Sequence, residues 1–178
     1  MDISDFKLVR LNEDYDIKPF DCGEKDLNEF LFNDSKEFQR EFLAITYLLE
    51  KDDTTVAYFS LLNDKINIHD LKVEDKKAWN KIRKKYPQRK RLKSYPCMKI
   101  GRLGVSSDYQ GKGIGKMILD YLKVMFLSNN RTGCRYITLD GYRNSLNFYQ
   151  RNDFVFLTSG DIDDETRLMY FDLKTLSL

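Results

Sequence analysis

Between Tyr109 and Lys116 the chain reads Tyr-Gln-Gly-Lys-Gly-Ile-Gly-Lys. An apolar alternation precedes this stretch and a helical period follows it. This handover constrains the fold more than any other part of the sequence. Glycines at 111, 113 and 115 remove Cβ atoms from the backbone just where a helix begins. The first amides of a helix have no intrahelical partner, and the helix dipole adds partial positive charge there. A phosphate or pyrophosphate is the natural ligand of such a turn, and a glycine turn without a ligand is the alternative. The spacing excludes a P-loop: Gln110 stands where that motif needs its first glycine, and Met117 where it needs Ser or Thr. Lys116, at the place of the third glycine, excludes the dinucleotide fingerprint.

The loop has a regular setting. Strands are predicted over 6–11, 43–50, 54–62, 97–106, 134–140, 154–158 and 167–173, where β-formers dominate. Lys51-Asp52-Asp53 reads as the turn of a hairpin. Ile114, Met117, Ile118, Tyr121, Leu122 and Met125 predict a strong amphipathic helix, and 144–151 a short one. Near the N-terminus, Leu27, Phe30, Leu31 and Phe38 keep a helical period. Asp21-Cys22-Gly23-Glu24 before them reads as a capping box, with Asp21 at the N-cap and Glu24 reaching back. The class is α/β (α+β): one domain over 1–178, a mixed sheet with helices on its faces.

Composition excludes other classes. Hydrophobic residues make up 42% of the 178, with 12 Phe and 11 Tyr, enough for a full core and too many for global disorder. Apolar runs are a few residues long, against roughly 18 for a membrane span, and the first residues carry no secretory signal pattern. Cys22, Cys97 and Cys134 form no CxxC. They read as reduced and buried, which points to the cytoplasm. His69 has no neighbouring Cys or His to make a metal pair, and no GxSxG supports a serine triad, so no metal is expected.

Charge is concentrated. Lys76, Lys77, Lys81, Arg83, Lys84, Lys85, Arg89, Lys90, Arg91 and Lys93 lie in one stretch without an acidic residue. They leave the rest of the chain at −8 against an overall +2. A basic helical insert is expected at about 72–93, with Trp79, Ile82 and Tyr86 on its apolar face and Pro87 ending the helix. A solvated helix face and a phosphate-binding surface both fit this pattern.

Gln110-x-x-Gly113-x-Gly115 resembles the coenzyme A pyrophosphate loop of the Gcn5-related N-acetyltransferases (GNAT). Leu103-Gly104-Val105 lies on the preceding strand. Downstream, Asn144-x-x-Asn147-Phe148-Tyr149-x-x-x-Asp153-Phe154 is similar to a family segment, departing at Asp153, where glycine is usual. Further stretches resemble, more narrowly, the acetyltransferase toxins of bacterial toxin–antitoxin pairs. They are Phe20-Asp21-Cys22-Gly23, Asp26-Leu27-Asn28-x-Phe30-Leu31, Ala57-Tyr58-Phe59-Ser60-Leu61 and Ile100-Gly101-Arg102-Leu103-Gly104-Val105 with Asp108-Tyr109-Gln110-Gly111. The likeness runs from about Phe20 to Phe154.

The resemblance implies a GNAT-like, mostly antiparallel central sheet flanked by helices on both faces. It implies acetyl-CoA as cosubstrate and direct attack of an amine on the thioester. The pyrophosphate is expected on the amides of Gly111, Lys112, Gly113, Ile114, Gly115 and Lys116. Gln110 either bonds the pyrophosphate or braces the loop. Leu103 and Val105 are expected to pair with the pantetheine arm, the Val105 amide polarising the carbonyl. Tyr149 is the candidate general acid, or else a ring packed beside Phe148. Asn144 contacts the cofactor or caps the short helix, and Asp140 is a candidate helper base or a turn residue. The acceptor implied by the toxins is the amine of aminoacyl-tRNA, with a ribbon-helix-helix antitoxin as protein partner and a homodimer compatible with the family. A small amine, a protein N-terminus, and an inactive CoA- or nucleic-acid-binding module are the competing readings.

Overall fold

The computed structural model describes residues 3–67, 80, 82, 84, 93–128, 130 and 133–176. Each expected strand forms, with shifted ends. The seven are β1 (Lys7–Arg10), β2 (Ile45–Lys51), β3 (Thr54–Asn67), β4 (Ser94–Val105), β5 (Tyr136–Tyr142), β6 (Val155–Phe156) and β7 (Thr166–Asp172). They make one mostly antiparallel sheet in the order β1-β2-β3-β4-β5-β7-β6. The chain divides into two compact units: Met1–Leu62 with Ile100–Met125, and Asn63–Lys99 with Phe126–Leu178.

In the first unit, β2 and β3 form the expected hairpin, with Leu48 opposite Tyr58 and Leu49 opposite Ala57. Asp52 takes φ 51 in the turn, a conformation that Asp tolerates better than most residues. Leu11, Phe20, Cys22, Phe30, Leu31, Leu48 and Tyr58 pack into one buried cluster. The Tyr58 ring stands edge-on to Phe20 at 5.3 Å, and its hydroxyl donates to the Leu27 carbonyl at 2.7 Å. That bond satisfies a phenol that would otherwise be costly to bury. Glu50, 1% exposed at the end of β2, accepts from the Tyr15 hydroxyl at 2.7 Å and pairs with Lys18 Nζ at 3.0 Å. These partners compensate a buried carboxylate and tie the stretch after β1 back to the sheet.

The N-terminal helix departs from its sequence reading in two ways. α1 (Lys25–Glu29) starts after Glu24, and Glu24 makes no side-chain cap bond. Asp21 is no N-cap either: its Oδ1 accepts from the Gly23 amide at 2.8 Å and from Asn28 Nδ2 at 2.7 Å. The stretch is an Asx turn closed by Gly23 at φ 81. Then a π-helical turn, Phe30–Asp34, separates α1 from α2 (Ser35–Arg40). The wider turn rotates later residues out of the α period. Phe30 and Leu31 are therefore buried, while Phe38 is half exposed and meets Phe30 edge-on at 5.3 Å.

α3 (Ile114–Ser128) follows its expected period, with Ile114, Ile118, Leu119 and Leu122 buried. It is not long and apolar enough to cross a membrane, and neither is any other helix among the described residues. In the second unit β5 pairs with β7, Ile137 opposite Phe171 and Leu139 opposite Met169. α4 (Leu146–Arg151) follows a 3-10 turn, Arg143–Ser145. A second core gathers Ile66, Ile82, Tyr95, Cys97, Tyr136, Leu157 and Tyr170. Ile82 belongs to the basic insert and is fully buried, and the Lys84 amide donates to the Asn80 carbonyl at 2.9 Å, one helical turn. Trp79, Tyr86, Pro87 and most of the basic residues lie outside the described residues. All three cysteines are free and buried, as their spacing suggests.

Candidate functional site

The glycine loop sits in the first unit, between β4 and α3. Gly111 takes φ 73 and Gly113 φ 83, both in the left-handed region. A Cβ added at either glycine would meet nothing within 4 Å, so the loop presents open backbone. The Met117 amide donates to the Gly113 carbonyl at 3.0 Å and opens the helical ladder. Helix geometry leaves the amides before it without intrahelical partners. Lys112 lies with its Nζ 5.0 Å above the Tyr109 ring, and Lys116 pairs with Asp120. An open turn of left-handed glycines, helix amides and two lysines fits a diphosphate. Beside it a cavity of about 500 Å³ runs along α3, lined by Gly113, Lys116, Met117, Asp120, Tyr121 and Val124, with Ile3 closing one side.

Gln110 has its side-chain amide turned onto protein backbone. Its Nε2 donates to the Cys22 carbonyl at 2.9 Å and to the Val105 carbonyl at 3.0 Å. Both amide hydrogens are thereby used. Of the two roles open to Gln110 in the sequence, the geometry is that of a brace. Its partner comes from the Asx turn around Cys22, a stretch that in the sequence reads as a capping box and not as a support for the loop. Leu103 and Val105 are half-buried on β4. Between them Gly104 admits the rings of Tyr58 and Phe20: an added Cβ would lie 2.8 Å from Tyr58 Cε1 and 3.1 Å from Phe20 Cζ.

Tyr149 lies in the second unit on α4. Its ring meets Phe148 at 5.1 Å and Phe154 at 5.9 Å. A Cβ at Gly141 would touch Tyr149 Cδ2 at 3.3 Å, so β5 closes against the ring through a glycine. Burial alone pushes the phenol up to about 12, against an ordinary value of 10, and keeps it protonated. Packing and proton storage therefore coexist in one side chain. Asn144 is exposed in the 3-10 turn, its Oδ1 accepting from the Ser145 hydroxyl at 3.1 Å. It does not cap α4, whose N-cap is Ser145. Asp140 is paired with Lys99 Nζ at 2.6 Å, a partner on β4 that the sequence does not reveal. Asp153 ends the turn after α4 at φ 67, so it adopts the conformation for which glycine is usual.

The sheet order and the strand–glycine loop–helix unit define an α/β protein with an open turn suited to a diphosphate. Residues 44–156, well over half of the chain, match the acetyltransferase (GNAT) domain model, and the chain belongs to the GNAT acetyltransferases. Solved structures share its fold along nearly the whole length. A Tyr-to-Phe mutant of KacT is 21% identical, with TM-score 0.77 over 97% of this chain and 98% of that one. AtaT complexed with acetyl-methionyl-tRNAfMet is 23% identical, with TM-score 0.75 over 97% and 98%. AtaTR bound with acetyl-CoA is 23% identical, with TM-score 0.73 over 98% and 97%. Comparison with curated protein sequences gives no match.

Proposed function

We propose that this protein transfers an acetyl group from acetyl-CoA to the amino group of an aminoacyl-tRNA. One observation carries the reading: an open glycine loop on a GNAT domain is combined with a basic cassette on an otherwise acidic chain. Acetyl-CoA supplies the activated acyl group as a thioester. The amides from Gly111 to Lys116 are the groups to hold its diphosphate, and the groove along α3 suits its nucleotide end. Leu103 and Val105 offer backbone groups to an extended arm, as a neighbouring strand would, with the Val105 amide donating toward the carbonyl oxygen. Asn144, exposed and polar, is a further contact. Tyr149 Oη holds the proton that the departing sulfur takes. The Tyr-to-Phe mutants of KacT and AtaT among the similar structures support giving a tyrosine this part.

An α-amino group has a pKa near 8, so part of it is neutral at pH 7 and attacks without a dedicated base; the proton that its nitrogen sheds on forming the amide passes to solvent, from which Tyr149 is reprotonated. The ion pair with Lys99 occupies Asp140. The basic cassette is suited to the phosphates of the acceptor. AtaT has also been seen bound to the C-terminus of the antitoxin AtaR, and an antitoxin of ribbon-helix-helix type is the protein partner we propose. The cytoplasm, where thiols stay reduced and charged tRNA is found, is the matching compartment.

The test is incubation with labelled acetyl-CoA and charged total tRNA. Label in the tRNA fraction, lost with Tyr149→Phe, is the expected result. Absence of label in a sample that binds acetyl-CoA would remove tRNA as acceptor and turn attention to small amines and protein N-termini.

A further inference from the structure

We infer that Asn28, on α1, is a positioning residue for the cofactor loop and acts on it through the Cys22 carbonyl and Gln110. The inference rests on the glycine loop being the acetyl-CoA site. Asn28 uses both ends of its amide on one turn: Oδ1 accepts from the Cys22 amide at 3.1 Å, and Nδ2 donates to Asp21 Oδ1 at 2.7 Å. The turn so fixed touches the loop twice. Its Cys22 carbonyl accepts from Gln110 Nε2 at 2.9 Å, and its Asp21 carbonyl accepts from the Ser107 amide at 2.8 Å. Gln110 spends its second hydrogen on Val105, the last residue of β4.

Gln110 is thus clamped between two carbonyls from different parts of the chain. Gly111 follows it directly and is left-handed. A clamped residue before a glycine fixes the direction in which the first loop amide points, which glycine alone would leave free. Geometry of this kind decides how well a row of amides matches a diphosphate. α1 itself is anchored elsewhere, by the Tyr58 hydroxyl on the Leu27 carbonyl. Tyr58→Phe removes that anchor and leaves Asn28, Cys22 and Gln110 in place, so it offers a control.

The experiment is direct acetyl-CoA binding to the full chain, with thermal melting and steady-state kinetics on the same samples. Loss of about one to two hydrogen bonds' worth of positioning predicts a Kd raised roughly five- to tenfold in Asn28→Ala. The matching rise should fall on the acetyl-CoA KM, with kcat at saturation kept within about twofold. Gln110→Ala should raise Kd similarly, and the double variant no more than the larger single one, because both act on one path. Asn28→Leu keeps the branching of the side chain and removes both bonds, and should behave as Asn28→Ala does. Tyr58→Phe should lower Tm with Kd unchanged. An unchanged Kd in both Asn28 variants, or additive effects with Gln110→Ala, would overturn the inference. A wild-type protein that does not bind acetyl-CoA would instead overturn the cofactor reading beneath it.

Discussion

Tyr149 combines two properties that are often separate: it is packed among Phe148, Phe154 and β5, and it keeps its proton. Replacing it with Phe leaves the packing and removes the donor. The expected result is a loss of kcat on the order of 10²–10⁴, with acetyl-CoA affinity held within about twofold, read by steady-state kinetics and direct binding. The raised pKa fixes the sign of the pH dependence. Burial favours the neutral phenol, so the stability this gives is fully present below about pH 10 and is lost as pH rises toward about 12. A kcat profile should accordingly show no fall between about pH 7 and pH 10. A basic limb in that range, absent from Tyr149→Phe, would contradict the assignment. Asp153 makes a second residue-scale case. A left-handed conformation costs an L-residue roughly 1–2 kcal/mol, and glycine's extra chain entropy offsets part of that. Asp153→Gly should raise Tm by about 1–3 °C in a melting experiment. The departure at this position is visible in the sequence, whereas the conformation that Asp adopts there is not.

At the scale of elements, local pattern locates strands and helices well and their junctions poorly. Period 2 and period 3.6 depend on neighbouring residues, so the hairpin of β2 and β3 and the buried stripe of α3 are legible in the sequence. The turn at Asp21–Glu24 is ambiguous there, because an Asx turn and a capping box use the same residue types. What separates them is Asn28, seven positions on, reaching back to Asp21. The π-helical turn after α1 leaves no pattern in the sequence, where Leu31 and Phe38, seven apart, keep the helical period. Two glycines bear on elements in opposite ways. Gly104 is filled from outside by Tyr58 and Phe20, so Gly104→Ala should cost about 1–3 kcal/mol of stability by denaturant unfolding. Gly113 faces open space but needs φ 83. Gly113→Ala should leave the fold in place at a cost of about 1–2 kcal/mol, and weaken acetyl-CoA binding at least tenfold in a titration.

At the scale of the whole molecule, the uneven charge sets the prediction. If the cassette meets tRNA phosphates, changing Lys76, Lys77, Lys81 and Arg83 to Gln should raise the KM for charged tRNA several-fold at low salt. It should also flatten the salt dependence of that KM, by a log–log slope of roughly 0.7 to 0.9 for each phosphate that is no longer neutralised. Affinity for acetyl-CoA should not move. The cassette's charge can be read directly from the sequence, but its attachment cannot, because burial of Ile82 depends on residues from β3, β4, β5 and β7 far away in the chain. That attachment separates two kinds of change open to the protein. Swapping lysines for neutral residues alters what the segment attracts. Shortening the segment would pull a plug from the second core, since removing a fully buried Ile side chain costs about 2–5 kcal/mol. The cassette can therefore drift in charge from one relative to the next, while its length is held by the hydrophobic residue it carries.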